Sequence, residues 1–180
     1  MNNTIENARE FADQAHRSVG QTRKYTQEPY INHPVAVMNI LDAHSSHSVS
    51  DAQRMAALLH DVVEDTNVTL EDIEQRFGGE VAQLVNWLTD VSKPSDGPRR
   101  VRKAKDLAHT AAAPVEAKNI KLCDLTHNAR DITQHDPDFA RVWLREKAAL
   151  LEVLSDADPA LLTLAHTTLE ECRQQLREKK

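Results

Sequence analysis

The chain has 180 residues, a formal net charge of −6 and no apolar run near the roughly 20 residues that a membrane span needs. Lys and Arg number 22 against 28 Asp and Glu, a balance that gives no support to broad binding of nucleic acid or an anionic membrane but leaves room for a small anion in a local basic pocket. An apolar content of 40%, a charged content of 28% and a mean hydropathy of −0.57 describe a soluble domain with a buried core rather than a disordered or membrane chain.

The opening MNNTIENAREF lacks the basic start and apolar stretch of a signal peptide, so a cytoplasmic protein is expected. Ile5, Ala8, Phe11, Ala12, Ala15 and Val19 recur at helical spacing and predict a first helix. Pro34 suits the first turn of a second, which carries Val37, Met38 and Leu41. Ser50 with Gln53 has the form of a capping box and opens a third helix, expected to end near Asp65. Thr69 with Asp72 predicts the next start, Gly78 and Gly79 its stop, and Val81, Leu84, Val85 and Leu88 the helix that follows. Residues 92–102 hold two prolines, Gly97 and many charges, and are expected to form a mobile surface loop leading into a polar helix that ends before Pro114. Val115 to Ile132 is helical in pattern, Pro137 sits at the start of a helix running through Leu154, and Asp158 with Pro159 caps the last. The leucines of the C-terminal helices, 137–178, are expected to pack internally. No strand-like alternation and no internal repeat is present, so the expectation is an all-α, compact single domain over residues 1–180, a bundle of roughly eight helices. Cys123 and Cys172 have neither a disulfide framework nor metal-ligand spacing and are expected to be reduced thiols.

Nine histidines make metal and proton chemistry the first functional question. The densest cluster is LLHDVVEDT, residues 58–66. On a continuous helix the three- and four-residue spacings of His60, Asp61, Glu64 and Asp65 would turn all four toward one region, where carboxylates can orient a metal and its water. Adjacent residues point about 100° apart on a helix, so ligands from other segments must complete the shell. His33 in PYINHP and Asp124 in IKLCDLTHN are the candidates. Asp124 stands among Ile120, Leu122, Cys123 and Leu125, and an aspartate in such company needs a partner, which a metal ion supplies. Asn128, four residues on, shares its face and can hydrogen-bond a ligand beside the ion. Two imidazole nitrogens and two carboxylate oxygens suit Mn²⁺, Fe²⁺ or Zn²⁺ better than Ca²⁺ or Mg²⁺. Taken singly, His33 reads as a loop histidine and Glu64 with Asp65 as a solvated helix end; the joint pattern points to the site. His44, His47, His109, His135 and His166 lack such partners and read as surface or satisfied core residues, with His16 and His127 singled out as exceptions.

The order H…HD…D resembles the signature of the HD metal-dependent phosphohydrolases. The longer segments AHRSVGQTRK (15–24), PYINHPVAV (29–37), AALLHDVVEDTNVTLEDIEQRFG (56–78) and KLCDLTHNARD (121–131) are similar to the hydrolase domain of RelA/SpoT homologues, especially the small alarmone hydrolases. The resemblance implies that His33, His60, Asp61 and Asp124 ligate one divalent ion, usually Mn²⁺, and that Glu64 and Asp65 are the catalytic carboxylates. It also implies that Arg23 and Lys24 pack on the nucleotide and that Asn128 contacts its sugar; Lys93 and Arg141 are added as candidate phosphate contacts. Leu125 stands where the family has a basic residue and Thr126 where it has Leu, departures expected to alter the nucleobase side of the pocket. The implied activity is a Mn²⁺-dependent 3′-pyrophosphohydrolase of (p)ppGpp, a hydrolase alone, whose partner is a nucleotide rather than nucleic acid or membrane. The residues leave open the same site acting on (p)ppApp, NADPH or another phosphorylated nucleotide, and a module that binds alarmone without cleaving it.

Overall fold

A computed structural model describes residues 4–178. Ten α-helical segments follow in order: α1 Ile5–Ser18, α2 Asn32–His44, α3 Asp51–Leu59, α4 Val62–Asp65, α5 Leu70–Phe77, α6 Gly79–Leu88, α7 Arg99–Ala112, α8 Val115–His135, α9 Pro137–Val153 and α10 Pro159–Glu178. Among the described residues the only β pairing is one bridge, Thr22 to Pro29, and no helix is long and apolar enough to cross a membrane. The capping boxes at Ser50/Gln53 and Thr69/Asp72 form as the sequence requires, and Gly78, at φ 94°, makes the tight link from α5 to α6 that a side chain would strain.

Two stretches differ from expectation. The third helix does not run on to Asp65: it stops at Leu59, His60 and Asp61 form a turn, and α4 restarts at Val62. Residues 92–102 are a tethered connection, in which Pro94–Asp96 forms a 3₁₀ turn and α7 begins at Arg99. Asp106 on α7 accepts from the backbone N–H groups of Val91 and Ser92 and from the Ser92 hydroxyl, while Lys105 reaches Asp96.

The core is a single cluster of buried aliphatic side chains, and α8 runs through it against α2, α3, α6, α9 and α10. Ile120, Leu122, Cys123, Leu125 and Ala129 bury one side of α8. Lys121, Asp124, Asn128 and Asp131, half-buried, occupy the other side at spacings of three, four and three. A second tether closes the far end of the molecule. The buried Asp158 carboxylate accepts at Oδ1 from the N–H groups of Ala160 and Leu161, capping α10, and at Oδ2 from Ser45, Ser46 and His47 in the α2–α3 loop. HSSHS is therefore a structural loop, with the His47 side chain otherwise 77% exposed.

Those donors hold the Asp158 carboxyl below the usual carboxylate range despite its burial, so its contribution is complete above about pH 4 and is lost as pH falls below that, when the folded state must take up the proton. Asp158→Ala removes a cap and a charge-assisted network, and is expected to cost about 2–4 kcal/mol in urea unfolding at neutral pH. The difference from wild type should shrink in strongly acidic buffer.

Candidate metal centre and active site

The break between α3 and α4 builds the site. His60 and Asp61 form the turn between the two helices, Asp61 at φ −97°, ψ −6°, and both side chains reach one point. His60 Nε2 lies 3.1 Å from Asp61 Oδ2. His33, buried in the first turn of α2, brings Nε2 to 3.6 Å from the same oxygen. Donor atoms of His33, His60 and Asp61 all fall within 4.8 Å of one another. Asp124 of α8 comes alongside, its Oδ1 3.1 Å from His33 Nε2 and 3.8 Å from His60 Nε2.

The surroundings fix each group for ligation. His60 Nδ1 donates to the Ala57 carbonyl at 2.7 Å, which leaves Nε2, a buried nitrogen without a hydrogen-bond partner, facing the cluster. His33 Nδ1 sits 2.8 Å from His127 Nδ1. Burial and the neighbouring His33 push His127 down to about 4, so it is neutral at physiological pH and can accept the His33 Nδ1–H, freeing His33 Nε2. Tyr30 donates its hydroxyl to Asp61 Oδ2 at 2.6 Å; burial and Asp61 raise the phenol far above its ordinary range, so the donor stays protonated. Asn128 donates to Asp124 Oδ1 at 2.7 Å. Burial opposes charge at His60, Asp61 and Asp124, yet the two aspartates raise the imidazole and the histidines lower both carboxyls. An orphaned imidazole nitrogen, a second imidazole and carboxylate oxygens converging on one point fit a divalent ion of the borderline class.

Glu64 and Asp65 stand at the exposed rim of this centre. Loss of water around the carboxyl and the Asp90 carboxylate push Glu64 up to about 7, while its Oε2 accepts from the Asp90 N–H. Asp65 accepts from Gln21 Nε2 at 2.8 Å, and Gln21 Oε1 meets Nδ1 of the buried His16 at 2.7 Å. His16 and His127 thus support the site from behind it. The same role for Tyr30, Gln21 and Lys121 was not assigned from sequence: each lies within a motif segment, but nothing in its spacing says which carboxylate it meets.

On one side of the centre a cavity of about 260 Å³ is lined by residues that include Arg23, Lys24, Tyr25, Asn128, Asp131 and Phe139. Arg23 is fixed by Asp131 at 2.5 Å and Asn128 at 3.3 Å; the Lys24 ammonium lies over the rings of Tyr25 and Phe139. Gln27, at φ 60°, bonds the Arg23 and Lys24 carbonyls through its side chain and holds that loop in shape. Arg141 is not part of this cavity. Its guanidinium binds the carbonyls of Pro137 and Leu176 and braces α9 against α10. Lys93 is exposed before the 3₁₀ turn and does not line this cavity. Leu125 and Thr126 are buried, Thr126 donates to the Leu122 carbonyl, and neither lines this cavity.

A family model for the HD domain matches residues 8–150. The chain belongs to the HD-domain family. Among its relatives, the guanosine-3′,5′-bis(diphosphate) 3′-pyrophosphohydrolase MESH1 of Xenopus tropicalis is 39% identical over 132 residues, 73% of this chain and 70% of that protein. The bifunctional (p)ppGpp synthase/hydrolase SpoT of Escherichia coli is 39% identical over 139 residues, 76% of this chain but 19% of SpoT. The HD fold here superimposes on the solved structure of a metazoan SpoT orthologue that hydrolyses ppGpp with a TM-score of 0.81 at 29% identity, covering 93% of this chain and 94% of the other.

Loss of one carboxylate should empty the metal centre. Saturating Mn²⁺, at a hundred times its dissociation constant, is expected to stabilise the wild type by about 2.7 kcal/mol in denaturant unfolding, and Asp61→Ala to abolish that increment. His127→Phe, which leaves His33 Nδ1 without its acceptor, should weaken Mn²⁺ binding by roughly 10–100-fold in a calorimetric titration.

Proposed function

We propose that this HD protein is a metal-dependent 3′-pyrophosphohydrolase of the alarmone (p)ppGpp, releasing pyrophosphate and GDP or GTP. The observation that carries the reading is the His33–His60–Asp61 centre placed beside two rim carboxylates, in a chain homologous to hydrolases of this specificity. Asp124 is the fourth ligand in this reading, and Arg23, Lys24 and Asn128 line the nucleotide cavity; Lys93 and Arg141 are left outside it. Mn²⁺ is the ion proposed, and when bound it neutralises phosphate charge and lowers the pKa of a water.

The side chains divide the remaining work. Glu64 at the rim takes a proton from the attacking water, whose oxygen forms a bond to the phosphorus attached to the ribose 3′ oxygen. The P–O3′ bond breaks, the water oxygen leaves within pyrophosphate, and the 3′ oxygen receives a proton, for which Asp65 and Glu64 are the nearby carriers. A carboxyl raised to about 7 is matched to this exchange near neutral pH. Gln21 keeps Asp65 turned toward the centre.

Pyrophosphate release by the purified protein with Mn²⁺ from ppGpp, absent in Asp61→Ala, tests the reading; parallel assays with pppApp and NADPH rank the base and the phosphate. Release of phosphate from NADPH alone would replace the substrate, and tight ppGpp binding without turnover would replace the activity with sensing. Glu64→Gln should keep Mn²⁺ binding and lower kcat by about 10²–10⁴. For the wild type, kcat/KM should rise with pH through about 7 as Glu64 loses its proton, and Glu64→Gln should flatten that limb.

A further inference from the structure

The His16 imidazole is 1% exposed and has no part in the chemistry proposed above. It lies in the last turn of α1, after which Gly20, at φ 70°, reverses the chain and lets the Gln21 N–H return to the His16 carbonyl at 3.0 Å. The side chains of the same two residues meet as well, His16 Nδ1 to Gln21 Oε1 at 2.7 Å, and the other end of the Gln21 amide donates to Asp65 Oδ2 at 2.8 Å. A path of two hydrogen bonds thus runs from a buried ring to an exposed carboxylate.

The direction of each bond follows from the chemistry of its ends. A carboxylate only accepts, so the amide turns its NH₂ group to Asp65. The amide oxygen then faces His16 and also only accepts, which places a hydrogen on His16 Nδ1. Burial lowers the His16 pKa from its ordinary value, outweighing the pull of Gln21, Asp61 and Asp65, so the ring is neutral at physiological pH and Nε2 is bare. That nitrogen is buried without a hydrogen-bond partner. The opposite tautomer would set a ring lone pair against the amide oxygen, and flipping the amide to relieve it would set that oxygen against the Asp65 carboxylate. Ring and amide therefore hold each other in one arrangement.

Asp65 has need of such a hold. It closes α4, a helix of four residues, and stands at the rim, where an untethered carboxylate would exchange among rotamers. His16 is suited to anchor it because its ring is packed 4.4 Å from the Tyr30 ring, and the Tyr30 hydroxyl holds Asp61. One imidazole in the core thereby touches the support of a metal ligand on one side and, through Gln21, the carboxylate beside the metal on the other.

We propose that His16 is a positioning residue for the hydrolytic step: as its Nδ1–H tautomer it fixes the Gln21 amide and, through that amide, the direction of the Asp65 carboxylate. The kinetic consequence rests on the hydrolase reading above; the tautomer does not.

Nitrogen-15 NMR of histidine-labelled protein loaded with diamagnetic Zn²⁺ should show a neutral Nδ1–H ring at neutral pH for His16, assigned by its loss in His16→Asn, and Gln21→Leu should abolish that preference. In assays with Mn²⁺ and ppGpp, His16→Phe, which keeps a ring against Tyr30, should lower kcat by roughly 10–100-fold, the scale of a misplaced reacting group, with KM and Mn²⁺ affinity unchanged. His16→Asn, whose NH₂ group stands near the place of Nδ1, should recover most of the loss. Gln21→Leu removes no core side chain and should lower kcat by the same factor, and the double variant His16→Phe/Gln21→Leu should be no slower, because the two residues act as one unit. An Nε2–H or charged ring in the wild type overturns the proposal, as does an unchanged kcat in Gln21→Leu or an additive loss in the double variant. If the wild type shows the Nδ1–H ring and Gln21→Leu loses it, but ppGpp is not cleaved, the alarmone reading falls and the linkage to Asp65 stands.

Discussion

Two carboxylates, Asp61 and Asp124, are brought from different helices to the same pair of buried imidazoles. Like charges placed this close in a partly dehydrated pocket repel, and only positive charge between and behind them makes the arrangement tolerable. Lys121 provides part of it, 4.0 Å from Asp124, and Tyr30 and Asn128 add hydrogen bonds. A divalent ion supplies the remainder. The folding of α2, the α3–α4 turn and α8 onto one another is thus coupled to the same electrostatic requirement, and the groups behind the ligands, His127 and the Ala57 carbonyl, have the single task of presenting an imidazole nitrogen with its lone pair forward.

The α3–α4 break shows how local geometry serves that requirement. A helix running from Asp51 to Asp65 would present His60 and Asp61 in directions about 100° apart. Interrupting it for two residues gives up little helical hydrogen bonding, since Asp65 N–H still reaches the Asp61 carbonyl and Thr66 N–H that of Val62, and it turns both ligands inward. It also leaves Glu64 and Asp65 one turn further on, at the rim, where one carboxyl is raised and the other is held by Gln21. A carboxyl raised to about 7 on this turn is suited to exchanging a proton near neutral pH.

Helix positions, caps and the gathering of His33, His60 and Asp61 at one point were legible in the sequence because they depend on local periodicity, on Ser, Thr and Asp at helix starts, and on residue types rarely found together by chance. The helix break was not legible: LLHDVVEDT keeps helical periodicity throughout, and the turn at His60 is imposed by packing. Nor was the tethering of residues 92–102, whose prolines and charges read as a loose loop but whose start at Val91 and Ser92 is bound by Asp106, fifteen and fourteen residues away. Arg141 illustrates the limit of a charge read in isolation. Its guanidinium satisfies carbonyls of α9 and α10, a use that no sequence spacing distinguishes from phosphate binding.

Leu125 bears on substrate choice in the same way. As a departure from the family pattern it points to an altered base pocket, yet its side chain is buried in the core and does not line the Arg23 cavity. In the alarmone reading, discrimination between bases would fall to the side chains that line the Arg23 cavity. Asp131 is the acidic group there, and Arg23 already occupies one of its oxygens; the Tyr25 and Phe139 rings offer flat surface, which accepts any base. The donors of a guanine edge and the mixed edge of adenine differ in what they ask of a carboxylate, since guanine can donate twice to one and adenine cannot. Under the alarmone reading proposed above, base preference would turn on how firmly Arg23 holds Asp131.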